Sequence, residues 1–77
     1  MNVFTDRRIV GEAKDHQGRI YTINKCQVCT HVIGLQGDQA LLRTRTWFEA
    51  NGQEVAPLGD GKARILADGT LIEQVSP

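Results

Sequence analysis

Ala40-Leu-Leu-Arg-Thr-Arg-Thr-Trp-Phe-Glu-Ala-Asn-Gly-Gln-Glu-Val55 holds the only Trp of the chain, one of its two Phe and a pair of arginines two positions apart. Residues 40–49 read as a long strand, because Thr, Trp and Phe suit a pleated, half-buried surface. Asn51-Gly52 reads as its turn. A type I′ hairpin needs positive φ at both central residues, and Asn-Gly meets that need at little cost. A return strand starts at Gln53 and is expected to stop near Ala56, since Pro57 has no N–H for a ladder.

Working backwards, Gly37-Asp38 predicts a two-residue turn of type II′, with Gly first. Residues 30–35 form the strand before it. Residues 19–25 (Arg-Ile-Tyr-Thr-Ile-Asn-Lys) form another, and Cys26-Gln27-Val28-Cys29 joins the two. Asp15-His16-Gln17-Gly18 has the Asp-first, Gly-fourth signature of a type I turn. Residues 8–14 make a first strand, with Gly11 marking a weak point or bulge. Residues 1–6 are expected to be a loose lead-in. Working forwards, Leu58-Gly59-Asp60-Gly61 is a loop. Residues 62–67 and 70–75 form a last hairpin around Asp68-Gly69, with Arg64 facing Glu73 and Ile65 facing Ile72.

The whole is a single domain over residues 1–77. It is all-β, an antiparallel meander of about seven short strands that closes into a small barrel or folds into a two-layer sandwich, either of which limits exposed edges. It resembles SH3-like and OB-like barrels in general, a likeness of fold that implies no function.

Alternation assigns faces. The two predicted turns place Leu35, Ile33, His31, Cys29, Leu42, Thr44, Thr46, Phe48 and Val55 on a core face. Leu41, Arg43, Arg45, Trp47 and Glu49 fall on the other side. Arg43, Arg45 and Trp47 then stand in a row. Arginine forks pair with carboxylate or phosphate, and Trp offers a flat anchor or a stacking platform. The plainer reading is that Arg stems cover a packed Trp47. This row is the candidate partner-binding site, for a protein or a second copy of the chain, with single-stranded nucleic acid as the alternative. Lys25, Arg19 or Arg64 could join it.

Cys26-x-x-Cys29 with His31 is a candidate zinc set, because the spacing matches one half of a zinc knuckle. His16 is excluded from it, since a strand of about 20 Å separates it from Cys26. The plainer reading makes Cys29 a core residue, Cys26 a turn residue and His31 a hydrogen-bonded core histidine. No phosphate loop, Gly-x-Ser-x-Gly or His-Glu-x-x-His motif occurs, and the one Ser is Ser76. We therefore expect a non-enzymatic interaction module without a cofactor.

The formal charge is zero, which argues against a broadly basic nucleic-acid binder. It is unevenly spread: seven cations face four acidic residues up to Arg45, and two face five beyond it. No apolar run has signal-peptide or membrane-span length. That predicts a cytoplasmic protein with reduced cysteines and no membrane contact. A chain of this length gains only about 3–5 kcal/mol from one core, so association with further copies is expected to help stabilise it.

Overall fold

The computed structural model describes residues 2–75. They form six strands: β1 (Asn2–Lys14), β2 (Ile20–Ile33), β3 (Gln39–Ala50), β4 (Gln53–Gly59), β5 (Lys62–Ile65) and β6 (Leu71–Gln74). Each is antiparallel to the next, and β6 returns to β1 to close a barrel. The expected all-β meander is thus a barrel, not a sandwich. It has six strands because the two predicted around Cys26–Cys29 are one: β2 runs straight through the cysteines.

The turns follow their local chemistry. Asn51 and Gly52 both have positive φ, and Ala50 pairs with Gln53, as the type I′ reading requires. Asn51 also ties the turn to β2. Its N–H donates to the Thr22 carbonyl at 3.0 Å, and its Oδ1 accepts from the Thr22 N–H at 2.9 Å. Asp60-Gly61, expected as an undefined loop, is a second turn of this kind, with positive φ at both residues between paired Gly59 and Lys62. At Asp15–Gly18 the predicted i to i+3 bond is present, with the Gly18 N–H on the Asp15 carbonyl at 3.0 Å.

Other expectations are corrected. Residues 2–6 are no loose lead-in. They are the start of β1, paired with residues 27–31 of β2, because β2 is long enough to supply partners there. The strand β4 continues past Pro57 to Gly59. Pairing between β3 and β4 stops at Phe48 and Val55, so Pro57 has a neighbour only in β5, and its missing N–H costs no ladder bond on the other side. The connection between β2 and β3 is not a Gly37-Asp38 type II′ turn. Ile33 pairs with Gln39, the Gly34 N–H donates to the Asp38 carbonyl, and the Gly37 N–H donates to the Gly34 carbonyl. That is a three-residue loop with Gly37 in the left-handed region at its end. Asp68-Gly69 is also not type I′. Ile65 bonds to Thr70 across a four-residue loop, and Ala63, not Ile65, faces Ile72. That register is two residues away from the predicted one. A two-residue slip preserves faces, so Ile65 and Ile72 are both buried as the pattern implied.

The core is small: Ala13, Ala50, Val55, Ile65 and Ile72, with Tyr21, Ile23, Phe48 and Ala63 packed against it. The molecule extends over 55 × 26 × 19 Å, with a radius of gyration of 15.9 Å. A compact chain of this length has about 11.5 Å. The excess comes from the first three strands, which run far beyond the barrel. Beyond Trp47, Arg7 and Cys26 they continue as a three-stranded arm on which, among the described residues, no second layer packs.

Asp15 holds one end of the fold together. Its carboxylate accepts from the backbone N–H of Gln17 and Arg19 and from the Tyr21 hydroxyl, at 2.9–3.0 Å. Burial pushes its pKa up, but the Arg19 N–H, the Tyr21 hydroxyl, the Gln17 N–H and the Arg19 charge together hold it below the ordinary value.

Two outcomes test this account. Ile65→Ala, which empties a fully buried site, should cost about 2–5 kcal/mol in urea unfolding, comparable to the whole stability of so small a core. Asp15→Asn should lower stability most at neutral pH. The folded-state pKa lies below the unfolded value of about 3.9, so the wild-type advantage is complete above that pH and fades as pH falls through the folded value. Urea midpoints measured from neutral pH down to about pH 2 should therefore converge for the two proteins at the acid end.

Candidate functional site

The arm has two faces and, among the described residues, two free edges. One face continues the barrel exterior and the other continues its interior, as the inward Ile23, Phe48 and Ala50 show. Cross-strand partners share a face. On the outer face stand Val3, Thr5, Arg7 and Ile9 of β1, then Asn24, Cys26, Val28 and Thr30 of β2, then Leu42, Arg45, Trp47 and Glu49 of β3. On the inner face stand Phe4, Asp6 and Arg8; Lys25, Gln27, Cys29 and His31; and Leu41, Arg43, Thr46 and Phe48.

The predicted row is therefore split. Arg45 and Trp47 share the outer face as expected, but Arg43 lies on the inner one. The cause is a bulge. Val28 pairs with Arg45 and Cys29 pairs with Arg43, so Thr44 is an extra residue on β3 with no partner of its own. Barrel-side of Thr44, the true register differs from the predicted one by two residues and the faces are unchanged. On the tip side it differs by three, and the faces exchange. Leu42 moves outward and Arg43 inward. A similar bulge at Val10, next to Gly11 where it was expected, sits on β1.

On the outer face the charges satisfy one another. Arg45 lies over the Trp47 ring, 4.4 Å from its centroid, and bonds Glu54 at 2.7 Å. The Trp47 indole N–H donates to Glu49 at 2.9 Å, and Arg7 approaches Glu49 at 3.5 Å. Two arginines and two glutamates thus leave this face neutral. The Trp47 indole holds the Glu49 carboxyl below its usual value; burial opposes it and Arg7 adds to it. Beneath them lies Cys26, 0% exposed, opposite both Arg7 and Trp47. Burial raises its thiol pKa, and the charge of Glu49 raises it further.

The zinc set is not assembled. Cys26 faces outward and Cys29 inward on one continuous strand, about 10 Å apart at the strand rise. That distance also rules out a disulfide between them, which needs Cα atoms within about 7 Å. Both cysteines are free and buried, so Cys26 is a packed strand residue, not a turn residue. His31 faces Leu41 and Asn2, not Thr44, and its Nε2 is 3.0 Å from the Gln39 amide oxygen. Among the described residues no group of three His, Cys, Asp or Glu side chains could hold a metal ion. His16 is an exposed turn residue as expected.

The inner face carries the group that alternation in β2 could have revealed. Asp6, Arg8, Lys25, Gln27 and Arg43 line a polar hollow of about 340 Å³. Towards the barrel this face passes into an apolar cavity of about 350 Å³ whose one ionisable lining residue is Lys62. That cavity holds no acid–base pair. Arg19 and Arg64, considered as additions to the row, lie at the barrel and not on the arm.

The chain was compared with protein families, with curated proteins and with solved structures, and none matches it.

Burial of the thiols has a direct consequence. Neither cysteine of the native protein should react appreciably with a thiol reagent such as iodoacetamide. Trp47→Ala, which removes the indole opposite Cys26, should expose Cys26 alone. Peptide mapping after alkylation should find Cys26 labelled and Cys29 unlabelled.

Proposed function

We propose that the protein is a non-enzymatic interaction module that joins a second copy of itself through the edge of its arm. One observation carries the reading. Among the described residues, the outer edge of β1 from Asn2 to Ile9 has no strand beside it, and that stretch contains no bulge and no Pro. Such an edge offers a row of unpaired N–H and C=O groups to another strand. The other free edge, on β3, is interrupted by Thr44, and bulges of that kind blunt an edge against pairing.

Side chains along the β1 edge favour the same outcome. Val3 is 65% exposed and Ile9 74%, both on the outer face, where a strand added at the edge would partly cover them. The total area agrees. The chain exposes 5614 Å², whereas a compact monomer of 8.5 kDa exposes about 4,650 Å². The excess of roughly 950 Å² is close to the ~800 Å² that each partner contributes to a standard interface. A second copy suits this edge because antiparallel pairing about a two-fold axis presents the same strand to itself.

This shifts the contact from the Arg45–Trp47 row to the strand beside it. Sedimentation should therefore find a concentration-dependent dimer. Val3→Lys/Ile9→Lys should be a folded monomer, and Arg45→Glu/Trp47→Ala should still dimerise. A wild type that stays monomeric at the highest attainable concentration would refute self-association and leave the arm to a different protein. Loss of the dimer only in the second variant would return the contact to the outer row.

A further inference from the structure

On the inner face of the arm we propose a binding site for single-stranded nucleic acid, built on Arg8, Lys25 and Arg43 and flanked by Phe4. It does not depend on the β1 edge.

The net charge of the whole chain is zero, yet this hollow gathers three cations around one carboxylate. Asp6 is within 3.3 Å of Arg8. Among the described residues no carboxylate lies within ion-pair distance of Lys25 or Arg43. Arg43 is instead oriented by the Gln27 amide oxygen, which accepts from its Nε at 3.1 Å. That bond leaves the terminal guanidinium nitrogens available to a phosphate oxygen. Lys25 and Arg8 are cross-strand partners, so their like charges repel unless an anion comes between them. The outer face contrasts with this, since each of its arginines already has a glutamate.

Cations alone would equally suit an acidic peptide. The exposed Phe4 favours nucleic acid. Phe4 lies on this face, next to Cys29 and across from Arg43, and is 47% exposed. Phe48, opposite Lys25 at the barrel end, packs against the core, so Phe4 is the stacking platform. A backbone held along the cations would bring bases against Phe4, and base–aromatic stacking tolerates any sequence. Gln27 and Thr46, between them, add polar groups without further negative charge.

The test is fluorescence anisotropy with a labelled oligothymidylate of about ten nucleotides. Three phosphate contacts predict a slope of log K against log salt of about −2, so binding should weaken about twentyfold between roughly 50 and 200 mM salt. Lys25→Gln and Arg43→Gln should each make the slope shallower by about 0.7. Phe4→Ala should weaken binding about tenfold with the slope unchanged. Arg45→Gln, on the opposite face, should change neither. Absence of binding at low salt overturns the proposal, as does equal loss with Arg45→Gln. So does equal affinity for a polyglutamate peptide with indifference to Phe4→Ala, which would make the site a general anion site. The monomeric Val3→Lys/Ile9→Lys variant should keep the site, so failure of self-association and failure of this inference are read separately.

Discussion

Everything in this structure depends on the fourteen residues of β2 having a hydrogen-bonding neighbour on both sides. A strand that long leaves many backbone groups to satisfy, and only β1 and β3, at 13 and 12 residues, can match it. The remaining strands are four to seven residues long. They reach the outer edges of β1 and β3 only at one end, where Ala13 meets Gln74 and Phe48 meets Val55. Closure is therefore local. One end of the three-stranded sheet becomes a barrel, and the rest stays open on both edges.

The open part is where interaction becomes possible, and two single residues decide how it is arranged. Val10 and Thr44 are extra residues on the strands that flank β2. Thr44 turns over the tip half of β3 relative to its barrel half. As a result Arg45 and Arg43, two positions apart, serve opposite faces. One closes a neutral network over Trp47 and Cys26, and the other joins Lys25 and Arg8 in a hollow with surplus positive charge. The regular edge, the neutral outer face and the charged inner face are separate surfaces with separate chemistry.

The stability of the barrel and the exposure of the arm are linked. Among the described residues its fully buried cluster contains three large aliphatic side chains, Val55, Ile65 and Ile72, beside two alanines. Val3, Phe4, Ile9 and Leu42 are spent on the arm and stay exposed. Apolar residues that a compact chain would use internally are left on the surface, and covering them from outside recovers burial that the fold itself does not achieve.

Local chemistry alone determined a good part of this protein. Asn51-Gly52 and Asp15–Gly18 follow from which residues tolerate positive φ or accept a turn bond, and the bulge beside Gly11 from the weak hold of a residue without a side chain on a strand. Alternation placed Phe48 and Val55 inside and Arg45 and Trp47 outside, because those pairs are anchored by the Asn51-Gly52 turn next to them. What only the tertiary structure decided lies farther from that anchor. Nothing local in Thr44 marks it as a bulge; it is left over when β3 pairs with β2 along its length. The run of β2 through Cys26 and Cys29 has the same origin, since β1 and β3 supply partners on both sides and no turn is needed. Asp68-Gly69 has the same letters as a type I′ pair, but Ile65 and Thr70 bond outside it and the left-handed Gly69 ends a longer loop. Turn propensity acts over four residues. Register and face are settled by strand partners that lie far off in sequence.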